Sequence, residues 1–227
     1  MMNGLSVLAV VPARGGSRRV PGKNVREAGG RPLIAWTIAH GKLSRLVDRL
    51  IVSSDDEQII RIARESGAEV PFARPAWLAK DDTPGVEPVL HALEQLPGFD
   101  IVVLLQPTSP LRTAEDIDAC IERCVQPGVE ACVSVAPLAK PIEWTYYVGV
   151  DGRMTSIRES PGGPEACVLN GAVYAARVPS LRASRTFMTP QTVAYRMPRE
   201  RSLDIDTEED FALFEFILKR RSVVHAG

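Results

Sequence analysis

The chain has 227 residues, of which 45% are hydrophobic and 24% charged. A globular chain of this size buries about 70% of the surface its unfolded state would expose, so it needs no disulfide or metal staple, and its composition excludes a disordered chain. Lys plus Arg number 27 against 28 Asp plus Glu, a net charge of −1, which argues against a nucleic-acid binder. No apolar run approaches the roughly 18 residues of a membrane span. Leu5–Ala13 lacks the preceding basic segment of a secretory signal. The four cysteines (120, 124, 132 and 167) and three scattered histidines do not form a zinc pattern. Buried thiols in a cytoplasmic protein are the expectation.

In chain order, Leu5–Pro12 reads as a buried strand, followed by a Gly- and Arg-rich loop and a helix over Pro32–Leu46. Arg49–Ser53 is a second strand, Asp55–Ser66 a helix stopped by Gly67, and Glu69–Phe72 a short third strand. Pro84–Leu96 suits a helix. Asp100–Gln106 is a strand whose continuous apolar run suits a sheet covered on both faces. Thr113–Val125 is a helix with Thr113 and Asp116 placed for capping, and Glu130–Val135 a fifth strand. This alternation predicts an α/β fold: a three-layer, mostly parallel, Rossmann-like sheet in one domain, with ligands at the carboxyl ends of the strands.

The rhythm changes after Pro137. Glu143–Val150 and Arg153–Ile157 flank Asp151-Gly152 as a β-hairpin, Ser160–Pro164 is a turn-rich loop, and Cys167–Ala175 is again a strand. Residues 138–187 are expected to form an insertion, a dimerisation lobe of a homodimer. Thr207–Lys219 is a final amphipathic helix, and Arg220–Gly227 a tail.

Directly after the first strand, Arg14–Arg31 carries six basic residues and one acid. Gly15, Gly16 and Gly22 let the backbone approach a ligand, and Arg14, Arg18, Arg19 and Lys23 supply charge for a polyanion. The loop is neither a Walker A motif nor a dinucleotide fingerprint. A plain solvated basic loop is the alternative. Near the carboxyl terminus, Asp204 and Asp206 point the same way on an extended segment, which suits a hard divalent cation such as Mg²⁺. Thr207 and the acids after it suit the cap of the last helix. The rigid turn Gln106-Pro-Thr-Ser-Pro110 offers directional hydrogen bonds, or is only a turn. A cationic loop with a carboxylate pair points to a nucleoside triphosphate and magnesium.

Together these segments resemble the sugar-acid cytidylyltransferases, in particular the acylneuraminate cytidylyltransferase family. The residues are Ala13-Arg-Gly-Gly-Ser-Arg-Arg-Val-Pro-Gly-Lys-Asn24, Arg74-Pro-Ala-Trp-Leu-Ala79, Leu104-Leu-Gln-Pro-Thr-Ser-Pro-Leu-Arg112, Asn170-Gly-Ala-Val-Tyr174 and Asp204-Ile-Asp206. The resemblance implies attack by the anomeric hydroxyl of a 2-keto-3-deoxy sugar acid on the CTP α-phosphate, releasing pyrophosphate. It implies that Arg14, Gly15, Ser17, Arg18 and Lys23 hold the triphosphate and that Asn24 and Arg74 contact the cytidine. Lys23, Arg14 and Asp206 would be catalytic, with Asp204 and Asp206 binding Mg²⁺. Gln106 and Asn170 would face the acceptor. Arg18 stands where a lysine is common, and Pro84-Gly85 where many members place serines. The segment Ser160–Leu169 lacks the arginines usual before Asn-Gly-Ala, leaving Lys140 and Arg158 as candidate contacts for the acceptor carboxylate. Competing expectations are a 3-deoxy-manno-octulosonate cytidylyltransferase or other acceptor, a glycosyltransferase using Asp204-x-Asp206, and a non-catalytic nucleotide-binding homologue.

Overall fold

Alternate residues of the first strand serve opposite layers of the molecule. Val7, Ala9 and Val11 join a core with Ile34, Ile38, Ile59 and Ile117, whereas Leu8 and Val10 join one with Val89, Leu93 and Leu181. Side chains of a strand alternate between faces, so an all-apolar strand must be covered twice. The computed structural model describes residues 4–157 and 165–224.

The elements run β1 (Val7–Pro12), a small ribbon of β2 (Glu27–Ala28) and β3 (Arg31–Pro32), α1 (Leu33–Leu43), β4 (Arg49–Ser53), α2 (Glu57–Glu65), α3 (Glu87–Gln95) and β5 (Ile101–Leu105). Next come α4 (Ala114–Cys124), β6 (Ala131–Pro137), a hairpin of β7 (Tyr146–Val148) and β8 (Met154–Ser156), β9 (Cys167–Arg177), α5 (Val178–Ser184), β10 (Thr192–Arg196) and α6 (Glu208–Val224). Among the described residues the main sheet has six strands in the order β10-β6-β9-β5-β1-β4. Val10 of β1 lies between Ile51 of β4 and Leu104 of β5, all parallel. β9 runs antiparallel to both β5 and β6. Helices α1, α2 and α4 cover one face, and α3 and α5 the other. This is the three-layer, mostly parallel sheet expected.

Several boundaries differ. Residues 138–187 do not all stand apart: β9 lies inside the main sheet between β5 and β6, and α5 packs its Leu181 into the core. The excursion therefore ends before Cys167. An antiparallel return strand breaks the βαβ rhythm without leaving the sheet. Glu69–Phe72 is not a strand but a single bridge from Glu69 to Ile51, because Pro71 has no N–H to continue a ladder. The edge strand β10, absent from the expectation, pairs with β6. The last helix continues through Arg220 to Val224 rather than ending in a tail. Ser160–Pro164 lies outside the described residues. Among them, no helix is long and apolar enough to cross a membrane.

Candidate active site

The carboxyl ends of β1 and β5 open into one cavity of about 340 Å³. Arg14, Ser17, Lys23 and Asn24 line one wall, and Gln106, Pro107 and Thr108 another. Asp204 and Asp206 close it from the segment before α6. Seven residues singled out from the sequence thus meet in one place, although up to 192 positions separate them.

The loop after β1 is shaped by its own backbone. Gly22 sits at φ +64°, in the left-handed region, and starts the short turn Lys23–Val25. Asn24 is buried and donates from Nδ2 to the Arg14 carbonyl at 3.1 Å, so it ties the two ends of the loop together. Gly15 packs against Asp56, and a Cβ there would overlap its carboxylate. Lys23 is only 12% exposed; its Nζ donates to the Ile205 carbonyl at 2.6 Å and lies 3.5 Å from Asp206 Oδ1. The lysine is therefore aimed by the carboxylate segment itself. Arg18 leaves the main cavity and lines an adjoining one with Arg14, Gly16 and Ala79–Asp82. There Asp81 pairs with both Arg14 and Arg18. Its hydrogen bond from Arg14 chiefly holds the Asp81 carboxyl below the usual range.

Arg74 is buried at the end of β4, with its guanidinium on the Ser53 carbonyl and hydroxyl. Burial lowers its pKa to about 10. Asp55 and Arg14 are the neighbouring charges that act on it, so it stands behind the loop rather than in the cavity. Asn170 is corrected from an acceptor contact to a support. Its amide is used inside the fold, accepting from Ser134 Oγ at 2.6 Å and donating to Ser202 Oγ at 3.0 Å. Lys140 is exposed beyond β6 and does not line the cavity, and Arg158 lies outside the described residues.

Asp204 and Asp206 are the pair expected to hold a cation. Asp204 Oδ1 is buried without a hydrogen-bond partner among the described residues. Burial pushes the Asp204 carboxyl up, against the hydrogen bond from Thr108, and the neighbouring Asp206 pushes it the same way. A divalent cation would reverse both effects. Gly171, at φ +70°, lets Gln106 pack directly on its backbone beside Asp204, where a Cβ would overlap Gln106 Oε1. No cluster of three or more His, Cys, Asp or Glu able to hold a metal occurs among the described residues. Two carboxylates fit a hard ion that completes its shell with water and phosphate oxygens, as Mg²⁺ does. The thiols play no part here: Cys120, Cys124 and Cys132 are buried and unpaired, and burial pushes Cys124 up to about 12.

A family profile described as cytidylyltransferase matches residues 8–154. The chain belongs to the cytidylyltransferase family. It is similar to the CMP-N,N'-diacetyllegionaminic acid synthase of Legionella pneumophila, 34% identical over 95% of this chain and 97% of that protein. The N-acylneuraminate cytidylyltransferase of Escherichia coli is 29% identical over 95% of this chain but only 53% of its own length. A solved CMP:2-keto-3-deoxy-manno-octonic acid synthetase complexed with CTP superposes with a TM-score of 0.73 at 16% identity, covering 95% of this chain and 99% of that one. That likeness bears on the fold.

Two residues of this cytidylyltransferase had no role assigned from the sequence. Asp81 occupies Arg14 and Arg18. Arg112, fully buried, lies beneath the Gln106–Ser109 turn. Arg112 did carry a signal. It directly precedes Thr113, the N-cap of α4, where the helix dipole disfavours a cation.

Proposed function

We propose that this enzyme transfers CMP from CTP to the anomeric hydroxyl of a nonulosonic acid of the 5,7-diacetamido type. The observation that carries the reading is the convergence of Arg14, Lys23, Gln106 and the Asp204–Asp206 pair on one cavity. The acceptor class is drawn from the Legionella relative, which this chain spans almost end to end.

Arg14, Ser17 and Arg18 grip the triphosphate, with Asp81 displaced from the two guanidinium groups. Lys23, fixed by the Ile205 carbonyl, faces the α-phosphate and stabilises the charge that develops there. Asn24 and Arg74 shape the loop that receives the nucleoside, and Gln106 orients the acceptor. The anomeric oxygen forms its bond to the α-phosphorus as the bond to the β-phosphate oxygen breaks, and pyrophosphate leaves. The proton of the hydroxyl departs on the side of Asp206. Asp204 and Asp206 would hold Mg²⁺, which neutralises phosphate charge and acidifies the attacking hydroxyl when bound. The chemistry is mainly positioning and electrostatics.

The working unit in this reading is a homodimer formed through the β7–β8 hairpin. Trp144 just before it, and Tyr147 and Val148 on it, are 68%, 66% and 67% exposed in the single chain, exposed apolar area of the kind that marks interfaces. A cytoplasmic setting agrees with the four free cysteines.

The test is pyrophosphate release from CTP, ATP, GTP and UTP with Mg²⁺, each against N-acetylneuraminate, a 5,7-diacetamido nonulosonate and 3-deoxy-manno-octulosonate. Release confined to CTP and the diacetamido acid is expected. Turnover with another acceptor would replace that acceptor, and tight CTP binding without any turnover would make the chain a non-catalytic binder.

A further inference from the structure

Arg112 heads the largest side chains that are wholly shut from solvent. No carboxylate among the described residues lies within ion-pair distance of it; Asp116 and Asp204 act on it only through space. Its Nη1 donates to the carbonyls of Gln106 at 3.0 Å and Ser109 at 2.9 Å. Its Nη2 donates to the Gln106 carbonyl at 2.5 Å and to the Thr37 hydroxyl on α1 at 2.8 Å. Nε has no partner among the described residues. Burying a guanidinium without a counter-charge is costly, and an apolar side chain of that volume would serve a core better. The group therefore does something other than fill space.

What it does is visible in its acceptors. The two carbonyls bracket Pro107-Thr108, the part of the turn that lines the cavity. The Thr108 carbonyl accepts from the Ile205 N–H at 2.8 Å, and its side chain bonds Asp204. The Ile205 carbonyl in turn accepts from Lys23 at 2.6 Å. Hydrogen bonds thus run from α1 through Arg112 and the turn to the carboxylate segment at Asp204 and Ile205. We propose that Arg112 is a positioning residue for CMP transfer: its buried guanidinium locks the Gln106–Ser109 turn, and so holds Gln106 and Asp204 in register against the acceptor. Arg112 touches no substrate. The inference rests on the transfer reading above.

The experiment compares wild type, R112K and T37V. A lysine keeps the charge but cannot reproduce the planar fork that spans two carbonyls and a hydroxyl. Val at 37 keeps the shape of Thr and removes one anchor. CTP affinity is titrated in EDTA without acceptor, which reads the Arg14–Asn24 loop alone. Acceptor KM and kcat are read by pyrophosphate release. The expected result is CTP affinity within about twofold of wild type, an acceptor KM raised about tenfold in R112K, and a smaller rise in T37V, in line with loss of one or two hydrogen bonds from the turn. If R112K does not fold, T37V alone carries the same split. Acceptor KM unchanged in folded variants, or CTP affinity falling in step with it, would overturn the inference and leave Arg112 a scaffold residue. A wild type that turns over no acceptor would instead refute the transfer reading itself.

Discussion

Replacing Gly171 by Ala separates folding from acceptor binding. Gly171 lies in β9 at φ +70°, and a Cβ there would overlap Gln106 Oε1 while staying 3.6 Å from Asp204 Oδ2. A left-handed alanine costs about 1–2 kcal/mol relative to glycine, which for a chain of this size lowers Tm by about 2–8 °C. The overlap adds little to that cost, because Oε1 is the free end of a flexible side chain. It must retreat by about 1 Å to regain a van der Waals separation, enough to break a hydrogen bond to the acceptor. That loss is worth about 1–3 kcal/mol, depending on whether the partner is charged, or about 5- to 150-fold in acceptor KM. CTP affinity and the Asp204–Asp206 pair should be untouched. Calorimetry with steady-state pyrophosphate release, varying acceptor and CTP separately, reads each part. An acceptor KM within twofold of wild type, alongside the expected fall in Tm, would refute Gln106 as an acceptor contact.

Lys23→Met should lower kcat by about 10²–10³ while the protein melts normally, since Lys23 serves the cavity rather than the core; single-turnover pyrophosphate release measures it. Asp116→Asn should destabilise the fold by about 3 kcal/mol, because the buried carboxylate takes two bonds from Arg201, at 2.9 and 2.7 Å, and one from Tyr195 at 3.0 Å. Burial opposes ionisation of Asp116, yet these bonds hold its carboxyl below its ordinary 3.8. Its stabilisation is therefore complete above that value and is lost as pH falls through the lower folded value; urea titrations at several pH values should show Asp116→Asn lacking that acid-side loss. Asp81→Asn should tighten CTP binding and steepen its salt dependence, since it leaves Arg14 and Arg18 as uncompensated charges facing the phosphates; calorimetric titration at two ionic strengths decides. Trp144→Ser with Tyr147→Ser should convert a dimer to a monomer in size-exclusion chromatography with light scattering, and a monomeric wild type at micromolar concentration would sink the dimer.

Most of the site was legible because its residues sit in contiguous motifs at strand ends, where an α/β sheet must place its ligands. Arg14, Ser17, Lys23 and Asn24 belong to one loop, and Asp204 and Asp206 to one extended segment. Charge and glycine content announce both without knowledge of the fold. Periodicity likewise carried the buried strands β1 and β5 and the helices α1 to α4, since apolar patterning is local.

The rest depended on contacts between residues distant in the chain. Asn170 reads as a contact for the acceptor until Ser134 and Ser202 are found to occupy its amide. Cys167–Arg177 reads as part of an insertion until its pairing with both β5 and β6 places it in the sheet, because strand order is a property of pairing rather than of pattern. Local chemistry determined which groups could bind a nucleotide and a cation. Only the tertiary structure decided that Ile205 aims Lys23, that Asp81 holds two arginines, and that a buried guanidinium supports the Gln106–Ser109 turn. Such roles arise from hydrogen bonds that span as many as 182 residues, and a linear reading carries no term for them.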